Sequence, residues 1–411
     1  MAAAFFAKCK EEEKKKSERY SKMKEVRTSM IDLQFDTNTL TDPEKRSSIV
    51  KSVEDILQSH FIKRKCEAAF GESYVVNFSN EDGSLTCTFK SYPFGLVTLT
   101  FEDCLEGDAS FTNPKLEDIR KELHRHFKVK VEKIPIIKRG SAVPLYFTTA
   151  DERILEYDFN KVVFQDESPY QNIKILHSPT LGNCLILDDL QNLAESDINY
   201  THGVMKYGSI SYTGKEVLIL GGGDGGLLHE LLKENPKFVT MVDIDQMVVD
   251  ACRIHLRGCC GDSLDKLEGP NYKVIIDDCL KRLDEYKENG KKFDVIINDL
   301  TDIPIATSPQ GEMWDFVKKI INKSLVVLRD DGSYLNHALG ESCIEALKTY
   351  ETMLSTLPEK VTFQRHSAYV PSFMENSVKL QSFFLLTFLV TNYFYTNQLS
   401  DYILISSMKW C

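Results

Sequence analysis

The chain has 411 residues and carries 50 Lys and Arg against 61 Asp and Glu, a formal net charge of −11. That length has room for two or three domains and a sizeable core. The charge argues against a nucleic-acid binder, which presents a basic face, and suits a cationic small ligand.

The first residues, Met1 to Ala7, are too short for a signal-peptide core, and Lys8 to Arg27 alternates Lys and Glu blocks. Residues 1–46 therefore read as a charged, disordered lead. From Ser47, the residues Ile49, Val53, Ile56, Leu57 and Phe61 form the apolar face of a helix. Strand-like runs follow at Tyr74–Phe78, Ser84–Phe89 and Gly95–Phe101, then a helix over Leu116–Phe127. Residues 47–135 so form an α+β domain without converging acids or histidines, suited to association. Ile134 to Pro144 reads as a linker. Residues 145–207 read as a small β domain, with antiparallel strands at Arg153–Phe164, Ile173–His177 and Cys184–Leu187. The polar segment Asn192–Asp197 then leads through Tyr200 into a helix.

Residues 208–375 read as an alternating α/β domain. Val217–Leu220 is a short continuous apolar run, as expected of a strand buried on both faces. Five glycines around Asp224 follow it, and a leucine-rich helix comes next. The pattern G-x-G-x-x-G is present at Gly221, Gly223 and Gly226, but a tight strand–helix turn needs glycines with no ligand at all. Asp224 is the distinctive residue, because a carboxylate there repels a pyrophosphate and favours a cation. Further strands end at Asp243, at Asp277-Asp278-Cys279 and at Asn298-Asp299-Leu300-Thr301-Asp302. Ligands of open α/β sheets bind beyond the carboxyl ends of the strands, so these acids converge on one crevice. Later runs give a helix at Trp314–Leu328, a strand at Ser333–His337, a helix at Cys343–Leu357 and a hairpin of Val361–Val370 with Ser382–Val390. The apolar tail of that hairpin falls short of the roughly 20 residues that span a bilayer, which predicts no membrane partner. The 11 cysteines are scattered, without a C-x-x-C pair, and read as the reduced thiols of a cytoplasmic protein. No Cys/His cluster predicts a metal.

With the glycine loop, Asp243, Asp278-Cys279 and Asp299 in place, the chain resembles the polyamine aminopropyltransferases. Ser168–Ser178, Asn192–Asp197, Leu218–Gly226, Val239–Val248 and Ile297–Thr301 carry the resemblance most strongly. The resemblance implies three parts: an amino-terminal dimerisation domain, a central β domain and a Rossmann-like catalytic domain of the class I methyltransferase type. It implies a homodimer that transfers the aminopropyl group of decarboxylated S-adenosylmethionine, a co-substrate rather than a resident cofactor, to spermidine. Spermine and 5′-methylthioadenosine would be the products. By the same resemblance Gln171, Asp243, Asp278 and Cys279 hold the donor, with Asp243 on the ribose. Tyr200, Asp224 and Glu375 bind the amines, and Asp299 accepts the proton.

Departures stand beside the resemblance. The ribose acid is Asp243 where the family usually has Glu, and Phe373 stands where spermine-forming members have a tyrosine. After Glu375 the match stops, leaving Asn376–Cys411 as a divergent end. A putrescine-using member, a methyltransferase of the same fold and a family member that binds without turnover are the competing readings.

Overall fold

The computed structural model describes residues 25–60, 62–104, 113–300, 302, 304–305, 308–357 and 361–384. Phe61, Thr301 and residues 385–411, used in the readings above, lie outside them, as do residues 1–24. The chain divides into two compact units, 1–145 and 146–411.

In the first unit a six-stranded antiparallel sheet runs in the order β2-β3-β4-β5-β1-β6. Its strands are β1 (Val26–Gln34), β2 (Lys63–Phe70), β3 (Ser73–Ser79), β4 (Leu85–Ser91), β5 (Leu96–Cys104) and β6 (Lys130–Arg139). Helices α1 (Pro43–Gln58) and α2 (Asn113–Phe127) add their apolar faces to its core. Asp42 caps α1 by accepting the N–H groups of Glu44 and Lys45, with Pro43 in the first turn. Two sequence expectations are corrected here, and one unexpected strand is added. The supposed lead contains β1, whose Ile31 and Leu33 alternate into the core between β5 and β6. The supposed linker is largely β6, an edge strand that tolerates Pro135 where the pairing with β1 shifts register. β2 was missed because all eight of its residues are exposed, so it has no inward-facing apolar set to read.

The second unit holds two small sheets and one large one. β7 (Tyr146–Thr148) pairs with β8 (Ile154–Glu156), and β9 (Lys161–Glu167), β10 (Asn172–Ser178), β11 (Gly182–Leu187) and β12 (Leu190–Ala194) form a meander. The expected single strand Arg153–Phe164 is thus two, parted where Asp158 turns aside to accept hydrogen bonds from Ser178 and Thr180. Helix α3 (Ile198–Met205) leads into the large sheet. That sheet contains β13 (Glu216–Gly221), β14 (Phe238–Asp243), β15 (Glu268–Gly269), β16 (Tyr272–Ile276), β17 (Phe293–Asp299), β18 (Leu328–Gly340), β19 (Val361–Val370) and β20 (Glu375–Phe384). Its order is β15-β16-β14-β13-β17-β18-β20-β19, with β16, β14, β13, β17 and β18 parallel. The interleaved helices are α4 (Gly226–Lys233), α5 (Gln246–His255), α6 (Arg257–Cys260), α7 (Cys279–Glu288), α8 (Glu312–Val327) and α9 (Ile344–Ser355).

The apolar run of β13 now has its cause. Val217 and Ile219 enter one core with α4 and α5, while Leu218 and Leu220 enter the other with α7, α8 and α9. The first of these cores also takes Ile173, Ile175, Leu185 and Leu193, so the β meander packs on the large sheet without a core of its own. The α/β, Rossmann-like architecture expected from the sequence is the observed one. The match was expected to end at Glu375, but β20 runs on to Phe384 and pairs with both β18 and β19. Chain order reverses between β13 and β17, and ligands of doubly wound sheets bind at such a switch point.

Candidate active site

The glycine loop after β13 shapes the crevice by letting other groups come close. Gly221 has φ +82°, and a Cβ there would stand 2.3 Å from the Asp299 carbonyl oxygen on the adjacent strand. At Gly223 a Cβ would fall 2.7 Å from Asp243 Oδ2. That space lets the Asp243 carboxylate accept the Gly223 N–H at 2.8 Å, while its other oxygen accepts the Asp245 N–H at 2.8 Å. The glycines that resembled a pyrophosphate cradle hold the loop against two strand-end acids.

A cleft of about 500 Å³ opens over the carboxyl ends of the parallel strands. Gln171, Tyr200, Asp224, Asp243, Asp278, Cys279 and Asp299 all line it. Asp224 is half-buried, and loss of solvent, with the Asp299 charge next, pushes its carboxyl up to about 7, even though it accepts the Gly226 N–H at 2.8 Å. Burial also raises Asp299 and Asp243 above the ordinary carboxylate range. The Tyr200 hydroxyl donates to Asp299 Oδ1, and burial with the Asp299 charge pushes that phenol well above its usual range. A cleft that raises three carboxyls in this way attracts cations and takes up protons readily.

The remaining groups are fixed by local structure. Gln171 donates its amide N–H to Asp245 Oδ2 at 3.0 Å, and Ser168 donates to the same oxygen at 2.6 Å. Asp245 caps α5 in turn, which ties the wall of the β meander to the sheet. Asp278 caps α7 by accepting the Leu280 N–H at 2.8 Å. Burial pushes the Cys279 thiol up to about 11, so it meets the cleft as a neutral group. Glu375 lies apart from the others. It sits in a neighbouring pocket of about 80 Å³, bound to Arg153 at 2.8 Å and to Ser342 at 3.2 Å. Leu190, Gln191, Asp302, His337 and Phe373 line both spaces.

Sequence reasoning set Asp302 at a strand end but gave His337 no part in the site, and the two meet at 2.6 Å on the cleft wall. The strand-end rule reaches His337, because Asn336 is in register with Asn298 and so sets His337 beside Asp299. Asp245 was passed over because a helix cap leaves the same trace in sequence with or without a ligand nearby. Among the described residues no three His, Cys, Asp or Glu side chains form a metal cluster, and no helix is long and apolar enough to cross a membrane.

The family model of the spermine/spermidine synthase domain matches residues 198–384, and that of the spermidine synthase tetramerisation domain matches residues 145–195. The polyamine aminopropyltransferase of Sulfurisphaera tokodaii is 33% identical over 224 residues, covering 52% of this chain and 68% of that protein. The chain belongs to the polyamine aminopropyltransferase family. Polyamine aminopropyltransferase 1 of Hyperthermus butylicus is also 33% identical, over 225 residues that cover 53% of this chain and 73% of its own. Among solved structures, the spermidine synthase from Thermotoga maritima covers 58% of this chain and 78% of its own at 22% identity, with a TM-score of 0.47. Family membership makes the reaction an aminopropyl transfer from decarboxylated S-adenosylmethionine in polyamine biosynthesis, and gives the convergence of acids its chemical setting.

Proposed function

We propose that this aminopropyltransferase uses spermidine as its acceptor and forms spermine and 5′-methylthioadenosine. The observation that carries the reading is the pocket of Asp151 and Glu375 beside the acidic cleft, which shares the walls His337 and Phe373 with it. A triamine needs that added length, and a diamine does not. In this reading Gln171, Asp243, Asp278 and Cys279 hold the donor, with Asp243 accepting from the ribose hydroxyls. Asp224 faces an ammonium and repels the carboxylate of intact S-adenosylmethionine. Tyr200 and Glu375 flank the acceptor.

The donor carries a sulfonium, which activates its aminopropyl carbon. The acceptor arrives as an ammonium, and neutralising a lysine-like group at pH 7 costs roughly 4–5 kcal/mol at about 1.36 per pH unit. Asp299 takes that proton. The freed lone pair then attacks the carbon, the carbon–sulfur bond breaks, and its electrons remain on sulfur as the neutral thioether. A carboxyl raised by burial is suited to this, because a base works best with a pKa near the working pH.

One observation favours putrescine instead. Arg153 already pairs with both Asp151 and Glu375, which reduces the negative charge left for a distal ammonium. Product analysis with decarboxylated donor and either amine decides. Spermine from spermidine supports the proposal, and spermidine from putrescine alone overturns it. We place a homodimer on the first unit, and the family model over residues 145–195 offers the competing interface.

A further inference from the structure

We propose that Lys379 is a positioning residue for the proton acceptor. Its buried side chain lies against the ring face of Tyr200 and acts through that phenol to hold the Asp299 carboxyl ionised. The inference rests on the reading of Asp299 as the base. Lys379 lies on β20, in register with His337 of β18 and His366 of β19. It is fully covered, at 0% exposure, and among the described residues its Nζ has no hydrogen-bond partner. The Nζ stands 4.6 Å from the centroid of the Tyr200 ring, and the hydroxyl of that ring donates to Asp299. Gly203 of α3 lies against the same side chain: a Cβ there would stand in ordinary contact with Lys379 Cε at 3.5 Å, and the close approach that glycine permits is to Ala368 Cβ, at 2.9 Å.

An unpartnered ammonium in such a place costs stability that an apolar chain of equal length would not. A cation over an aromatic face draws electron density toward itself and makes the phenol O–H a stronger donor. A stronger donor to a carboxylate favours its ionised form.

The charged surroundings act on both groups. Asp299 of β17, Asp302 after it and Asp197 before α3 favour the Lys379 ammonium, while burial, the largest influence, opposes it and pulls the group down to about 7. On Asp299 burial raises the carboxyl, the Tyr200 bond, His337 and Lys379 lower it, and the Asp302 charge raises it. Asp224 of the glycine loop adds a further negative charge near Tyr200. On β19 the His366 ring is held below its usual range by burial and meets the Gly203 carbonyl at 2.8 Å, so it contributes no charge at neutral pH. Lys206, after α3, is bonded to Gln364 and Gln381.

The test is a carboxyl-carbon NMR titration of the unliganded full chain, with the Asp299 signal assigned by its loss in Asp299→Asn. Lys379→Met should move the Asp299 midpoint up by about one pH unit and raise Tm. Lys379→Gln serves as a second uncharged variant should methionine impair folding. In the Tyr200→Phe background the same substitution should move the midpoint by less than half as much. An unmoved midpoint overturns the proposal, and an undiminished shift in the Tyr200→Phe background overturns the route through the phenol. The acidic limb of the kcat profile should follow the NMR midpoint. A midpoint that moves while the kcat limb stays fixed supports the action of Lys379 on Asp299 and removes Asp299 as the base.

Discussion

Tyr200 donates its hydroxyl to Asp299 from a helix outside the parallel sheet, so the carboxylate at the end of β17 is oriented by an element that precedes the whole sheet in sequence. The bond fixes one carboxylate oxygen. If Asp299 is the base, as proposed, the bond also sets the direction from which an acceptor nitrogen would give up its proton.

Asp299→Asn keeps the shape and a carbonyl for the Tyr200 bond but cannot take a proton. Turnover should fall by roughly two orders of magnitude or more, within the usual range for loss of a general base. Donor affinity by calorimetry should change little. Near-native turnover would remove Asp299 from the proton path.

Asp224 gives a prediction in pH. Its carboxyl lies at about 7 in the folded chain, above the usual value near 3.9. Between those values the folded state holds a proton that the unfolded state has released, so stability falls as pH rises through the window and the full cost is present above it. Asp224→Asn removes that cost, at most about 4 kcal/mol at roughly 1.36 per unit. Thermal denaturation should show a Tm gain of several degrees at pH 8 and about a third of that gain at pH 5. The same variant should bind decarboxylated donor more weakly and narrow the preference over intact S-adenosylmethionine. An unchanged affinity ratio would end the charge-selection argument.

The legible part of this site was the part written at strand ends. Val217–Leu220, Phe238–Val242 and Phe293–Ile297 are short apolar runs, each followed by acids, and parallel topology carries those acids to one edge. Lys379 could not be read in this way. In Val378-Lys379-Leu380-Gln381 the alternation puts the lysine on what looks like a solvent face, and only the packing of α3 shows that this face is covered. Strands β1 and β2 were illegible for opposite reasons. The short alternating stretch of β1 follows a long charged run, whereas β2 buries nothing and leaves no period.

Gly223 tests whether the loop acts by close approach. Its backbone lies outside the left-handed region, so an added methyl brings overpacking against the Asp243 carboxylate rather than backbone strain. Gly223→Ala should cost about 1–3 kcal/mol and weaken the hydrogen bond that orients Asp243. We expect donor affinity to fall by roughly ten- to a hundredfold, since a charged hydrogen bond is worth about 1.5–3 kcal/mol. Calorimetry against the donor should show the loss, with a smaller effect on KM for the amine. A variant with native donor affinity would mean that Asp243 does not depend on this contact.

The last prediction concerns the first unit. It has its own apolar core, built on Ile31, Leu33, Val53, Phe89 and Leu99, and none of the eight proposed site residues. Its edge strand β2 is exposed along its whole length, and Phe70 on it is 66% exposed. An open edge of this kind is a template for pairing with another chain. We therefore expect the full chain to be a homodimer, and a chain beginning at Tyr146 to be monomeric and less active, because pairing stabilises each catalytic unit by mass action. Light scattering gives the mass, circular dichroism confirms that the shortened chain is folded, and turnover gives the activity. A shortened chain that stays dimeric would move the interface to the β meander of residues 145–195, and a fully active monomer would show that pairing is not needed for catalysis.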